Sequence, residues 1–209
     1  MRWRKGELIR ETKWSRLYRT GPKDEYYESK FLLDGVRAEP SSIKREWDNL
    51  SAGEKLDFAL AFAAGAAAAL SPDGEEILSF LMKVGPEEVW VNIASVLPRH
   101  SDKESVLHFL LERIRSSQGP GRINYYDALM RLKDQKAVPI LRQDYERRLE
   151  RINDSSAPAV SEEEWEQFFS CCAALWRLGA DGPFEARLRE ALSHPSPIVR
   201  SLVGQLLEK

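Results

Sequence analysis

Cysteine is nearly absent from this chain: the 209 residues hold two, Cys171 and Cys172, adjacent in sequence. Neighbouring cysteines make a poor staple, so a disulfide scaffold is excluded and a reducing, cytoplasmic setting is the expectation. Histidine is scarce too, with three residues, and there is no HExxH and no CxxC pair, the spacings that hold zinc. GxSxG and GxGxxG are missing as well, and Gly119-Pro120-Gly121 puts a proline where backbone amides would have to point at a phosphate. Neither a catalytic nucleophile, a metal nor a cofactor is therefore expected. Long apolar runs are also lacking, since the longest, Phe58 to Leu70, has 13 residues against the roughly 20 that cross a bilayer. The opening Met1-Arg2-Trp3-Arg4-Lys5 is charged rather than apolar, so no secretory signal is expected.

What is present is an ordinary globular composition, 43% apolar and 31% charged, enough for one domain or one domain with a short extension. The net charge of -2 conceals an asymmetry. Residues 1 to 23 carry eight Lys or Arg against Glu7 and Glu11, giving +6, and the remaining chain carries -8. Such a leader either folds back onto its acidic body or serves as an arm for nucleic acid or another anionic surface. Trp3, Trp14 and Tyr18 interleave with its arginines, a pattern compatible with base stacking plus phosphate contacts.

Helix-start signals recur along the chain. Ser51-x-x-Glu54, Asp73-x-x-Glu76, Ser101-x-x-Glu104 and Ser161-x-x-Glu164 have the capping-box form. Gly85-Pro86-x-Glu88 and Gly182-Pro183-x-Glu185 place proline at a first helical position with an acid in the first turn. The stripes Val89, Trp90, Ile93, Ala94, Leu97 and Val138, Leu141, Tyr145, Leu149, Ile152 follow three-and-four spacing. No convincing strand is visible after residue 40. Leu56 to Leu70, with eight alanines, predicts a helix packed between neighbours. Before residue 40, Tyr26-Tyr27 to Phe31-Leu32-Leu33 looks helical, while residues 1 to 20 suit either a helix or an extended arm.

An internal recurrence organises the rest. Ala128-Leu129-Met130-Arg131-Leu132 returns 46 residues later as Ala174-Leu175-Trp176-Arg177-Leu178, each copy followed by a polar link and a second amphipathic helix. The same order, a small-residue helix ending in Leu and then an aliphatic pair, follows Leu70 and Leu97. This predicts an all-α chain of about four antiparallel helix pairs and a terminal helix, with residues 1–40 a basic extension or cap and 41–209 the repeat domain. His194-Pro195-Ser196-Pro197-Ile198-Val199-Arg200, followed by Leu202 and Leu206, resembles the start of a HEAT or PBS-lyase-type HEAT-like repeat. The resemblance implies a curved solenoid, with second helices over residues 73 to 84, 102 to 115, 136 to 152 and 183 to 193 lining the concave side. The loops Ser116 to Gly121 and Asn153 to Ser161 then project from one edge.

Candidate functional residues follow from that placement. Arg113, Arg115, Arg142, Arg147, Arg148 and Arg151 form a possible ladder of guanidinium forks for phosphate or carboxylate. Asp144, Glu146 and Glu150 interleave with them, however, so an exposed face of intrahelical ion pairs fits equally. Tyr125 and Tyr126 open a helix beside the first loop, where one can face outward as an interface residue or both can pack. His108, four residues from both Glu104 and Glu112, is either a carboxylate-oriented imidazole or part of a solvated face. Trp47, Trp90, Trp165 and Trp176, with both cysteines, read as core.

Two functions are consistent with these features. The first is a non-enzymatic scaffold that binds a protein or peptide in its concave groove or along its loop edge. The alternative is a nucleic-acid-binding protein using the basic leader and the inner arginines; the resemblance extends it to a DNA-glycosylase-like base-modifying enzyme. The repeat type also suggests a lyase or chaperone for tetrapyrrole-bearing proteins. A mixed or apolar groove would favour protein, and a continuous basic face nucleic acid.

Overall fold

The computed structural model describes residues 7–11, 16–19, 31–33, 39–66, 70–117, 119–154, 156 and 158–208, with the backbone alone for the three short segments and for 64–66. The chain divides into two compact units, Met1–Ser101 and Asp102–Lys209.

The first unit opens on strands β1 (Glu7–Glu11), β2 (Arg16–Arg19) and β3 (Phe31–Leu33), antiparallel in that order. The register sets Glu7 across from Arg19 and Glu11 across from Arg16, so both acids of the basic leader occupy register positions opposite arginines. Phe31-Leu32-Leu33 is thus a strand and not the helix expected there. Three apolar residues in a row cannot distinguish the two periods. Trp3, Trp14, Tyr26 and Tyr27 lie outside the described residues.

From Pro40 to Glu208 every regular element among the described residues is helical, as the sequence predicts. The first unit continues with α1 (Pro40–Glu46), α2 (Ala52–Ala66), α3 (Pro72–Val84) and α4 (Glu87–Ile93). Helix α2 packs on α4 and on β3, and α1 on α3. Ile43, Trp47, Phe58, Phe62, Leu78, Leu81, Val89, Ile93 and Leu97 fill its core. Trp47 meets Phe58 and Phe80 edge-on at 6.1 and 5.8 Å, the arrangement that aromatic quadrupoles prefer.

The caps show which start signals act. At Ser51 the reciprocal box forms: its N–H donates to Glu54 Oε2 at 2.8 Å, and the Glu54 N–H donates to Ser51 Oγ at 3.3 Å. Ser161 and Glu164 repeat it. The other two starts move. Ser71 caps α3 through the Gly74 N–H, because Pro72 takes the first turn, where its missing donor costs nothing. Asp102, not Ser101, caps the next helix through the Ser105 N–H. Ser101 is already held by Glu75, which accepts its N–H at 3.0 Å and its hydroxyl at 2.7 Å. One turn along α3, Ser79 Oγ lies 2.7 Å from His100 Nε2, so one face of α3 grips consecutive residues. Pro86 and Pro183 stand at the cap rather than inside the helix.

The second unit comprises α5 (Lys103–Ser116), α6 (Arg122–Leu132), α7 (Val138–Asn153), α8 (Glu162–Arg177), α9 (Phe184–Glu190) and α10 (Pro197–Glu208). Helix α8 packs against α6, α7, α9 and α10, and α5 against α6 and α7. Every residue from Gln167 to Leu175 is buried, as a helix enclosed on all sides must be.

The 46-residue recurrence has a structural counterpart in how α6 and α8 stop. After Leu132, Lys133 adopts φ 57°, and after Leu178, Gly179 adopts φ 68°, 46 positions apart. The second helices begin at Val138 and Phe184, again 46 apart. Leu129, Leu175 and Leu178 are buried, while Leu132 is half-buried. Arg131 pairs with Asp127 at 2.9 Å, and Arg177 donates to the Leu206 carbonyl at 2.9 Å. These are the acid and the helix-end carbonyl that an arginine beside the core is expected to find. Glycine suits the left-handed position and lysine does not, so Lys133→Gly is expected to stabilise the fold by about 1 kcal/mol in denaturant titration. Unchanged stability would show that the Lys133 side chain makes up the difference.

At the C-terminal end, Val199 is buried and Arg200 donates to the carbonyls of His194 and Pro195 at 2.6 and 2.9 Å. The Val-Arg pair therefore anchors α10 and clamps the turn before it. His194 Nδ1 accepts the Ser196 N–H, and its ring lies 5.0 Å from that of Trp165.

Candidate functional site

Two features of the second unit carry polar chemistry. The first is a buried carboxylate. Asp144 on α7 is 4% exposed, and four side chains converge on it. Arg122, 1% exposed at the start of α6, reaches its Oδ1 at 2.5 Å. Arg148 Nε donates to its Oδ2 at 3.0 Å, and Tyr126 and Arg147 donate to Oδ2 and Oδ1. Arg122 also donates to the carbonyls of Ile114 and Ser117, capping the end of α5, where unsatisfied carbonyls concentrate partial negative charge. Burial alone would push the Asp144 carboxyl up. Arg148 and Arg122, with hydrogen bonds from Tyr126 and Arg147, outweigh it and hold the group below the ordinary aspartate range. Burial raises the Tyr126 hydroxyl well above its usual value, so three arginines face one carboxylate and a neutral phenol.

The second feature is open to solvent. Where the C-terminal ends of α6, α8 and α10 meet, a groove of about 790 Å³ is lined by Asp127, Met130, Arg131, Lys133, Trp176, Arg177, Leu206 and Leu207. Trp176 is half-buried here rather than core, with the Arg177 guanidinium 5.3 Å from its ring centre, within range of cation–π attraction. The groove is lined by α6, α8 and α10, not by residues 102 to 115, 136 to 152 or 183 to 193, where a concave site was expected. A smaller recess of about 270 Å³ lies between α5 and α7, lined by Ile114, Arg115, Ile140, Gln143, Asp144 and Arg147.

No family model, no curated protein and no solved structure matches this chain.

The structure scatters most of the arginine ladder. Arg142 donates to the Asp181 carbonyl and lies over the Phe184 ring at 5.6 Å. Arg151 pairs with Glu164 at 3.1 Å and donates to the Pro158 carbonyl at 3.2 Å. Arg113 pairs with Glu112 at 3.2 Å and lies over Phe109. Arg115 and Arg147 do share a concavity. Tyr125 and Tyr126 are both fully buried, the packed alternative of the two, which removes them from the candidate binding residues: Tyr126 turns to Asp144 on α7 and not to the loop edge.

Glu104, His108 and Glu112 are exposed, the solvated-face alternative. Among the described residues no group of three or more His, Cys, Asp or Glu is placed to hold a metal ion, and no helix is long and apolar enough to cross a membrane. Cys171 and Cys172 are buried. Burial pushes the Cys171 thiol well above its usual value and that of Cys172 up to about 12, so both are held as neutral, unreactive core thiols.

Sequence reasoning missed Arg122 and the central place of Asp144. A signal did exist: Arg122 and Tyr126 are four apart on α6, and Asp144 is three and four from Arg147 and Arg148 on α7, so each set shares a helix face.

Proposed function

We propose that the protein is a non-enzymatic helical-repeat module that holds a segment of a partner protein in the groove between α6, α8 and α10. The observation that carries this reading is the make-up of the groove. An apolar floor of Met130, Trp176, Leu206 and Leu207 is bordered by Arg131, Lys133 and Arg177 against a single acid, Asp127. Aromatic and arginine side chains around an apolar centre are what protein interfaces concentrate. A partner segment with an aliphatic or aromatic anchor flanked by Asp or Glu would complement both floor and rim.

The solenoid architecture is part of the same proposal. In the second unit α6 lies by α8, α8 by α10 and α5 by α7, and α6 and α8 stop alike. Stacked pairs of this kind present long continuous surfaces suited to extended partners. Nucleic-acid binding along the inner arginines is less favoured, since Arg142, Arg148 and Arg151 are spent on internal partners.

A displayed library of short peptides, selected on the full chain, tests this. Enrichment of an apolar anchor next to acidic residues is expected, and Leu207→Glu should weaken the selected peptides by about 2 kcal/mol, roughly 30-fold. Peptides that bind Leu207→Glu as well as the parent, or a selection that enriches nothing, would overturn it.

A further inference from the structure

We propose that the recess between α5 and α7 is a separate binding site for a phosphate monoester carried on a small apolar stem, with Arg115 and Arg147 gripping the phosphate. The site does not rest on the groove reading, because it is built from other residues on other helices. Four observations carry it.

Arg115 is exposed and has no hydrogen bond or ion pair among the described residues. Gln143, beside it in the lining, is likewise exposed and unengaged. A guanidinium and an amide therefore offer free donors to whatever occupies the recess. Arg147 has a side chain 54% exposed, but its guanidinium is tied to the Asp144 carboxylate at the wall of the recess. Asp144 is itself locked by Arg122, Arg148 and Tyr126, so Arg147 is oriented before any ligand arrives and less freedom is lost on binding.

Charge decides the class of ligand. Arg115 and Arg147 line the recess beside one carboxylate, Asp144, whose charge is already met by Arg122 and Arg148 behind it, so the lining is left net positive. The carbonyls at the end of α5 would ordinarily repel an anion, but Arg122 covers those of Ile114 and Ser117. A dianion uses this field more fully than a single carboxylate, and two guanidinium forks match phosphate oxygens. Ile114 and Ile140 supply an apolar wall, and the volume of about 270 Å³ exceeds what a bare phosphate fills, so a carbon stem has a place to lie.

The experiment is a backbone-amide NMR titration of the full chain at constant ionic strength with phenyl phosphate, with a short phosphoserine peptide, and with benzoate. Saturable shifts confined to residues near 114–116 and 140–147 are expected for the two phosphates, with benzoate at least tenfold weaker. The tighter of the first two identifies the source as a small organic phosphate or a phosphorylated protein segment. Arg115→Met should weaken phosphate binding at least tenfold; because Arg115 makes no hydrogen bond or ion pair among the described residues and methionine keeps its apolar stem, the melting temperature should stay that of the parent. Arg147→Lys, which keeps the charge and loses the fork, should weaken it several-fold. Shifts that fail to saturate, equal affinity for benzoate, or binding unchanged in Arg115→Met would each overturn the proposal.

Discussion

Replacing Asp144 by asparagine is expected to cost about 3–5 kcal/mol of folding stability, the loss typical when one partner of a buried ion pair is removed. The damage comes less from the bonds lost than from the charges left behind. Arg122 is 1% exposed and Arg148 has a side chain 13% exposed, and neither has another carboxylate among its bonds described above. Arg122 would keep the carbonyls of Ile114 and Ser117, so the end of α5 should stay capped while the contact between α6 and α7 loosens. Arg147→Gln, at the exposed end of the same carboxylate, should cost under about 1 kcal/mol. Tyr126→Phe removes one hydrogen bond to the charged group and should fall between, at about 1.5–3 kcal/mol. Denaturant titration of the three variants reads the order, and an Asp144→Asn cost no larger than that of Arg147→Gln would show that the buried charges find other compensation.

The same carboxylate gives a pH dependence with a definite sign. Its folded-state pKa lies below the unfolded one, so the stability it contributes is fully present above roughly pH 4, where an unfolded aspartate titrates, and is lost as pH falls through the folded value. The gap in stability between the parent and Asp144→Asn should therefore be constant from pH 8 to about pH 5 and narrow below pH 4. A gap that stays constant to pH 2 would mean that the carboxylate titrates alike in both states.

Much of the helical half of this fold is legible because its punctuation is local. A serine hydroxyl and a glutamate three residues on need no tertiary partner to close a box, and Ser51 and Ser161 close theirs. Where tertiary contacts compete, the start shifts: Glu75 takes Ser101, and Asp102 becomes the cap. The strands before Leu33 were not legible, because three to five residues each are too few for alternation to stand out among so many arginines. The candidate site was half legible. Helical spacing puts Arg147 and Arg148 within reach of Asp144, but nothing local says that this face turns inward. Sequence statistics place Arg and Asp outside, and only the arrival of Arg122 from another helix makes burial tolerable. Trp176 was misplaced for the opposite reason. Its place in the recurrence matches Met130, and both line an open groove at helix ends rather than the seam between stacked helices.

The recurrence itself predicts the second large effect. Leu178→Ala should cost about 2–5 kcal/mol, as truncation of a buried leucine does, because Leu178 is 3% exposed at the end of α8. Its carbonyl accepts the Gln135 side-chain amide at 2.6 Å, so the residue also ties the end of α8 to the link between α6 and α7. Leu132 holds the same place 46 residues earlier, yet it is half-buried, and the methyl groups removed by Leu132→Ala are already partly in water. Its cost should be roughly half that of Leu178→Ala, since both the transfer term and the residual cavity shrink with exposure. Equal slopes of the denaturant curves would show that the two variants change stability without changing the extent of the transition. If Leu178→Ala costs less than about 1 kcal/mol, the two leucines do not play equivalent parts, and the pairing of α6 with α8 as successive copies of one unit loses its energetic support. A Leu178 cost in the expected range with Leu132 below it would make the later copy the better-packed one, with Lys133 in its left-handed conformation marking where the earlier copy has drifted from the shared pattern.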